Sequence, residues 1–226
     1  MKITSALIVL ASVVSAAPVV EERQAACATG VHMIIARASG EAVGPGFINA
    51  VATRVKSAVP GSDFEAVSYP ATLDNYQSSQ SQGVAAMKKL ITSYVTRCPN
   101  TKIALLGYSQ GAHVAADVMC GSLSGFTAST QISSAIASKN IIAVIEMGDP
   151  SHIVGQVYDV GTSKKNGIFL RTNAATCLGK TYTQNYCDTG DTYCDQGNIA
   201  SVHSSYVSKY GSAAAAYIAA KFKAAA

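Results

Sequence analysis

The sequence predicts a single α/β domain built on a mainly parallel sheet with helices packed on both of its faces. Three observations carry that prediction. The strand-like segments are mostly near-continuous apolar runs, the pattern of strands covered on both sides. They alternate with longer segments of helical periodicity. No internal repeat or linker divides the 226 residues.

Taken in order, Val31 to Ala36 (VHMIIA) reads as a buried strand. Gly46 to Val59 places apolar residues at helical spacing and stops at Pro60-Gly61, a turn signal. Phe64 to Tyr69 alternates as a strand and ends at Pro70. Gly83 to Val95 is a helix with Val84, Met87, Leu90, Ile91, Tyr94 and Val95 on one side. Lys102 to Tyr108 (KIALLGY) is a strand that leads directly into a helix from Gln110 to Cys120. Ile132 to Ser138 reads as a further helix, and Ile141 to Met147 (IIAVIEM) is the most apolar strand of all. Gly167 to Arg171 is assigned as a last short strand. A loop-rich region then extends to His203, and an Ala-rich helix from Tyr206 to Lys223 closes the domain.

The N-terminus does not belong to this pattern. Met1-Lys2, the apolar run Ile3 to Val14 and the small residues Ser15-Ala16-Ala17 form a signal peptide over residues 1–17. Residues 18–26 are a charged spacer or short propeptide, with trimming after Arg23 as one option, and residues 27–226 form the domain. The apolar run is too short to cross a bilayer and no later one is longer, so no membrane span is expected. Hydrophobic residues make up 49% and charged ones 13%, which suits a globular core and excludes a disordered chain. The net charge of +4 is scattered, without the basic face a nucleic-acid binder needs. Six cysteines (Cys27, Cys98, Cys120, Cys177, Cys187, Cys194) follow the signal peptide, an even number that reads as disulfides in a secreted, extracellular protein. Their spacing does not say which pairs with which. They contain no C-x-x-C pair, so no metal site is expected, and no cofactor either. The domain is expected to act as a monomer.

The chemistry centres on Gly107-Tyr108-Ser109-Gln110-Gly111. A G-x-S-x-G run entered by an apolar strand and left by an amphipathic helix forms a nucleophile elbow. The glycines permit a sharp turn where a Cβ would collide, and Ser109 is held over a helix N-terminus whose N–H groups favour an oxyanion. A serine hydroxyl needs a base. Among the four histidines, His32 lies in an apolar strand as a satisfied core residue, and His113 lies one turn along the helix from Ser109, pointing away from the open face. His152 follows Asp149-Pro150 and competes with His203. The order nucleophile, acid, histidine favours His203, in a loop before the last helix. Asp188, Asp191 and Asp195 all lie in or beside the Cys187–Cys194 loop, and the residues alone leave the choice of acid open. Two of the three are expected to serve only turn chemistry.

These motifs resemble the fungal cutinase and acetylxylan esterase family. The shared features are ARASGE at Ala36 to Glu41, KIALLGYSQG around the serine, YCDTGDTYC at Tyr186 to Cys194, and VHSSYVSKYG around His203. The resemblance runs from about Cys27 to Phe222. It implies a small lidless α/β-hydrolase with Ser109 as nucleophile, Asp191 as acid and His203 as base. It implies an oxyanion hole formed by Gln110 N–H and by Ser39 through its N–H and hydroxyl. It implies disulfides Cys27–Cys98 and Cys187–Cys194, which leaves Cys120–Cys177. Ala38 departs from the glycine common in cutinases at that place, and its methyl bears on how the Ser39 backbone sits. The stretch Asp195 to Val202 is polar and small where cutinases carry bulky aliphatics. With Met147-Gly148-Asp149-Pro150 and Tyr206 to Gly211, it places the chain nearer the acetylxylan esterase branch, with a small polar rim suited to short acyl groups.

The function expected is that of a secreted carboxylic-ester hydrolase removing acetyl groups from xylan or similar short-chain esters through an acyl-enzyme. Its partner would be a plant cell-wall polysaccharide or polyester. Cutin hydrolysis is the alternative within the class. A non-catalytic wall-polymer binder is the alternative outside it, disfavoured because a binder has no use for a complete triad. An interfacial lipase would need a lid or a large apolar rim, neither of which the sequence shows. No N-x-S/T sequon is present, so N-glycosylation is not expected.

Overall fold

The computed structural model describes residues 26–225. The predicted signal peptide and nearly all of the spacer therefore lie outside the described residues. Six strands form one sheet: β1 (Val31–Ala36), β2 (Asp63–Ala66), β3 (Lys102–Tyr108), β4 (Ile141–Met147), β5 (Asp159–Val160) and β6 (Thr183–Tyr186). Their order is β2-β1-β3-β4-β6-β5, and every neighbouring pair is parallel. Among the described residues six α-helices accompany them: α1 (Asn49–Ala58), α2 (Tyr76–Arg97), α3 (Gln110–Cys120), α4 (Ser134–Lys139), α5 (Ala200–His203) and α6 (Tyr206–Ala225).

The strand period of two divides the core into two layers. Val31, Met33 and Ile35 of β1 join Ala104, Leu106 and Tyr108 of β3 against Val51 and Val55 of α1 and Ile218 of α6. Ile34 and Ala36 join Ile103 and Leu105 on the other face, under Met87 and Ile91 of α2 and Val114 and Val118 of α3. Because both faces are covered, β1, β3 and β4 are almost continuously apolar, with His32, Lys102 and Glu146 as the exceptions. Disulfides join Cys27 to Cys98, Cys120 to Cys177 and Cys187 to Cys194.

Two elements differ from the sequence reading. Gly167 to Arg171 is not a strand. Its backbone is pinned irregularly, with Gly167 N–H and Phe169 N–H on the carbonyls of His152 and Pro150, and Ile168 N–H on that of Tyr193. The sheet edge is formed instead by β6 (TQNY) and β5 (DV), short polar strands with no apolar run to announce them. Helix α2 begins at Tyr76, well before Gly83. Its first turns are polar in sequence, yet Ser79 and Gln80 within them are buried, with Ser79 Oγ donating to Gln110 Oε1 and Gln80 Nε2 to Asp117 Oδ2.

Candidate active site

The carboxyl ends of β3 and β4 and the loops after β6 converge on one point. The turn from β3 into α3 is tight enough that a Cβ on Gly107 would sit 2.2 Å from Gly111 O, and one on Gly111 would sit 2.0 Å from Ala36 O. Ser109 takes φ 54° and ψ −117°, a strained conformation for a residue with a side chain. Its carbonyl accepts the N–H groups of Ala112 and His113, at 2.9 and 3.1 Å. The N–H groups of Gln110 and Gly111 open the helix and have no turn above them.

His203 ends α5 with Nε2 2.9 Å from Ser109 Oγ and Nδ1 2.8 Å from Asp191 Oδ2. An ionised carboxylate only accepts, so Nδ1 carries the proton and Nε2 is free to accept from the serine hydroxyl. Tyr108 OH holds the His203 carbonyl from below. Asp191 is fully buried. Burial alone would push its carboxyl up, but His203, the Cys194 N–H and Tyr206 OH outweigh that effect and hold it below the ordinary carboxylate value.

The other two carboxylates of the loop have different partners. Asp188 accepts from Lys209 Nζ at 2.7 Å, from Tyr210 OH and from Thr162. Asp195 accepts from Ser163 Oγ at 2.6 Å and from the N–H groups of Lys164, Lys165 and Gly190. Asp188 ties its loop to α6 and to Thr162, Asp195 ties loop to loop, and neither is bonded to a histidine. His152 is buried away from the serine, with Nδ1 3.1 Å from Asn185 Oδ1. His113 is enclosed behind the cleft wall by Tyr76, Phe126 and Phe169, and burial lowers its pKa well below the ordinary value. His32 meets Asp63 at 2.6 Å but leaves its buried Nε2 without a partner, so it is only half satisfied.

Sequence reasoning missed Tyr206 as part of the site. Its hydroxyl accepts the Asp188 N–H at 2.9 Å and donates to Asp191 Oδ2 at 2.7 Å, so one side chain braces the carboxylate that faces His203. The only available signal was its place three residues after the histidine. Tyr193 packs edge-on against the His203 ring, with centroids 4.5 Å apart.

Ser39 lines the same cleft as Ser109 and His203, and its Oγ is enclosed yet has no hydrogen-bond partner. Gln110 is buried, its side chain bonded to Ser79 and to the Thr72 carbonyl, which leaves its backbone N–H as the group facing the serine turn. Ala38 is accommodated without a left-handed backbone. The cleft measures about 750 Å³. Its rim is not small and polar: Phe47, Leu73 and Ile168 line it and are 73%, 65% and 46% exposed. They come from three loops separate in sequence from the 195–202 stretch, one of which is held by Gln196 Nε2 on the carbonyls of Asn166 and Gly167, so that stretch supports the rim without supplying these side chains.

The cutinase family profile matches residues 27–222. This chain belongs to the cutinase family. It is 36% identical over 201 residues to acetylxylan esterase 2 of Talaromyces purpureogenus, covering 84% of this chain and 86% of that one. It is 36% identical to cutinase 11 of Verticillium dahliae, covering 96% and 77%. Among solved structures, an acetylxylan esterase superposes with a TM-score of 0.81 at 36% identity over 87% of this chain and all of that one. A Trichoderma reesei cutinase bound to a phosphonate inhibitor superposes with a TM-score of 0.59 at 25% identity, over 87% and 77%. The cutinase-family chain is thus a carboxylic-ester hydrolase on a parallel α/β sheet, and its substrates are esters. Among the described residues no helix is long and apolar enough to cross a membrane.

Proposed function

We propose that this chain is a secreted esterase that removes acetyl groups from xylan through an acyl-enzyme on Ser109. The observation that carries the mechanism is the line of hydrogen bonds from Ser109 Oγ through His203 to Asp191, at 2.9 and 2.8 Å, opening into a cleft. His203 Nε2 takes the hydroxyl proton as Oγ attacks the ester carbonyl. The tetrahedral oxyanion accepts from Gln110 N–H and from the N–H and hydroxyl of Ser39. His203 then gives the proton to the departing alkoxide, which completes the acyl-enzyme. Water, deprotonated by the same imidazole, attacks the acyl carbon, and the collapse returns the proton to Ser109. Asp191 stays ionised throughout, keeping the Nδ1–H tautomer and stabilising the imidazolium.

The acetylxylan assignment is supported by the greater structural similarity to that branch and by Tyr193, whose ring occupies space beside His203. Secretion is supported by the predicted signal peptide and the three disulfides. A specific observation favours cutin hydrolysis as the second reading: the exposed apolar side chains of Phe47, Leu73 and Ile168 on the rim. A p-nitrophenyl ester series from acetate to octanoate, run beside acetylated xylan and cutin, separates the two. An acetate optimum with acetate release from xylan is expected, and a butyrate or longer optimum with release of cutin monomers overturns the acetylxylan reading.

A further inference from the structure

Glu41 lines the active-site cleft. Among the described residues its carboxylate pairs with no cation. Both of its oxygens serve backbone: Oε2 accepts the Ala38 N–H at 2.6 Å and Oε1 the Phe47 N–H at 2.7 Å. The loop between these residues carries Ser39. On the far side of Ser39, Gly40 N–H is bonded to Ala71 O at 2.8 Å. Beneath it, Arg37, only 2% exposed, donates Nε to the Glu41 carbonyl at 2.9 Å and Nη2 to those of Tyr69 and Pro70. The amides on either side of Ser39 are therefore both anchored, one by a side chain and one by backbone, while the Ser39 hydroxyl stays unpartnered.

A negative charge lining a cleft that must hold an oxyanion is electrostatically unfavourable for the reaction. Its presence needs a structural reason, and the two N–H groups supply one. Two donors aimed at one side chain require two acceptor oxygens. Glutamine offers one and turns its NH₂ towards the other donor. Aspartate keeps the charge but is a methylene short of the span. We infer that Glu41 is a positioning residue that aims the Ser39 donors at the tetrahedral oxyanion, an inference resting on the oxyanion role proposed for Ser39. It touches no reacting atom and acts through the loop it ties. Misplacing a donor by about 1 Å costs on the order of 100-fold, and losing one outright costs about 100- to 1,000-fold.

The test compares p-nitrophenyl acetate kinetics of the full chain and of Glu41→Gln, Glu41→Asp, Ser39→Ala and Ser39→Ala/Glu41→Gln. Glu41→Gln and Glu41→Asp are expected to lower kcat about 10- to 100-fold with KM nearly unchanged. In the Ser39→Ala background Glu41→Gln should lose less than it does in the wild type, because the hydroxyl it positions is already gone and only the backbone N–H of residue 39 remains to be aimed. If Glu41→Gln does not fold, Glu41→Asp carries the same prediction. Wild-type or raised kcat in a folded Glu41 variant, a loss confined to KM, or additive losses in the double variant overturn the inference. Ser109→Ala, measured in parallel, separates the two levels. If it is inactive while Glu41→Gln is unimpaired, only the Glu41 role fails. If it still turns over ester, the nucleophile reading fails and takes this inference with it.

Discussion

Replacing Asp191 with asparagine changes one atom and, on this geometry, almost all of the activity. Oδ1 accepts two backbone N–H groups, from Tyr193 at 2.7 Å and Cys194 at 2.9 Å. The amide oxygen of the asparagine must take that place, because an NH₂ there would face two donors. The NH₂ is thereby turned to the Oδ2 position, which faces Tyr206 OH and His203 Nδ1. A hydroxyl rotates and becomes an acceptor. An imidazole adapts only by moving its proton, so Nδ1 becomes the acceptor and Nε2 carries the hydrogen. A protonated Nε2 cannot take the proton of Ser109.

The expected loss in kcat is about 10³- to 10⁴-fold, the size of the same exchange in an unrelated serine hydrolase. That corresponds to about 4–5 kcal/mol of barrier. Stability should change little, since the Oδ1 bonds remain and the side chain keeps its volume. The assay is steady-state p-nitrophenyl acetate turnover at pH 7 with a thermal melt of the same sample. Asp188→Asn and Asp195→Asn serve as comparisons, and both should lower the melting temperature while leaving kcat close to wild type. A kcat for Asp191→Asn within tenfold of wild type, or an equal loss in Asp188→Asn, would refute the tautomer argument.

Two further outcomes follow from buried groups. Tyr206→Phe removes a donor to Asp191 and leaves the Asp188 N–H without its acceptor. The unpaired amide costs about 1–3 kcal/mol, read as a fall of several degrees in the melting temperature. The Asp191 carboxyl then titrates nearer its ordinary value. Its folded pKa lies below the unfolded one, so its contribution is present above the unfolded pKa and lost as pH falls through the folded one; in Tyr206→Phe the two pKa values lie closer together, so the acid loss is smaller and complete at higher pH, which melts at acid pH compared with pH 7 detect. Glu146 shows the opposite sign. Burial, with Asp149 nearby, pushes its carboxyl up to about 8 against the opposing effects of Arg171 and the Asn185 amide. The folded protein then keeps a proton that the unfolded chain releases, so stability falls as pH rises from about 5 to about 8. Glu146→Gln can still accept from Asn185 and should gain melting temperature over wild type progressively across that range, whereas a constant difference would exclude titration of Glu146 as the cause.

The legible parts of the fold are those whose physics is local. VHMIIA, KIALLGY and IIAVIEM became β1, β3 and β4 because a strand covered on both faces has no solvent side to advertise. β5 and β6 sit at the edge, carry DV and TQNY, and are held by ladder bonds whose partners lie far along the chain. GIFLR misled because its apolar residues serve a cleft wall and not a ladder. The serine turn was legible down to its two glycines, since the collisions they avoid lie within a few residues or in the neighbouring strand. Asp188, Asp191 and Asp195 share the same local chemistry, and it is partners far along the chain that distinguish them: His203 and Tyr206 on Asp191, Lys209 and Tyr210 on Asp188, and Ser163 on Asp195.

The rim bears on what the substrate experiments measure. Phe47 follows β1, Leu73 follows β2 and Ile168 follows β5, and the three loops meet at one mouth. Exposed apolar groups of that size are stabilised when covered, by about 25 cal/mol per Å² removed from water. An acetyl group is far too small to fill or cover a cleft of about 750 Å³. In an acetylxylan esterase the apolar rim would therefore face the alcohol side, where the C–H faces of sugar rings can lie on it. In a cutinase the same rim would receive an aliphatic chain from either side of the ester. Acyl-length preference reports on the space beside His203 and Tyr193, and polymer preference reports on the rim. An enzyme with an acetate optimum that nevertheless loses activity on polymer, but not on p-nitrophenyl acetate, when Leu73 and Ile168 are changed to serine would show that the two specificities reside in different walls.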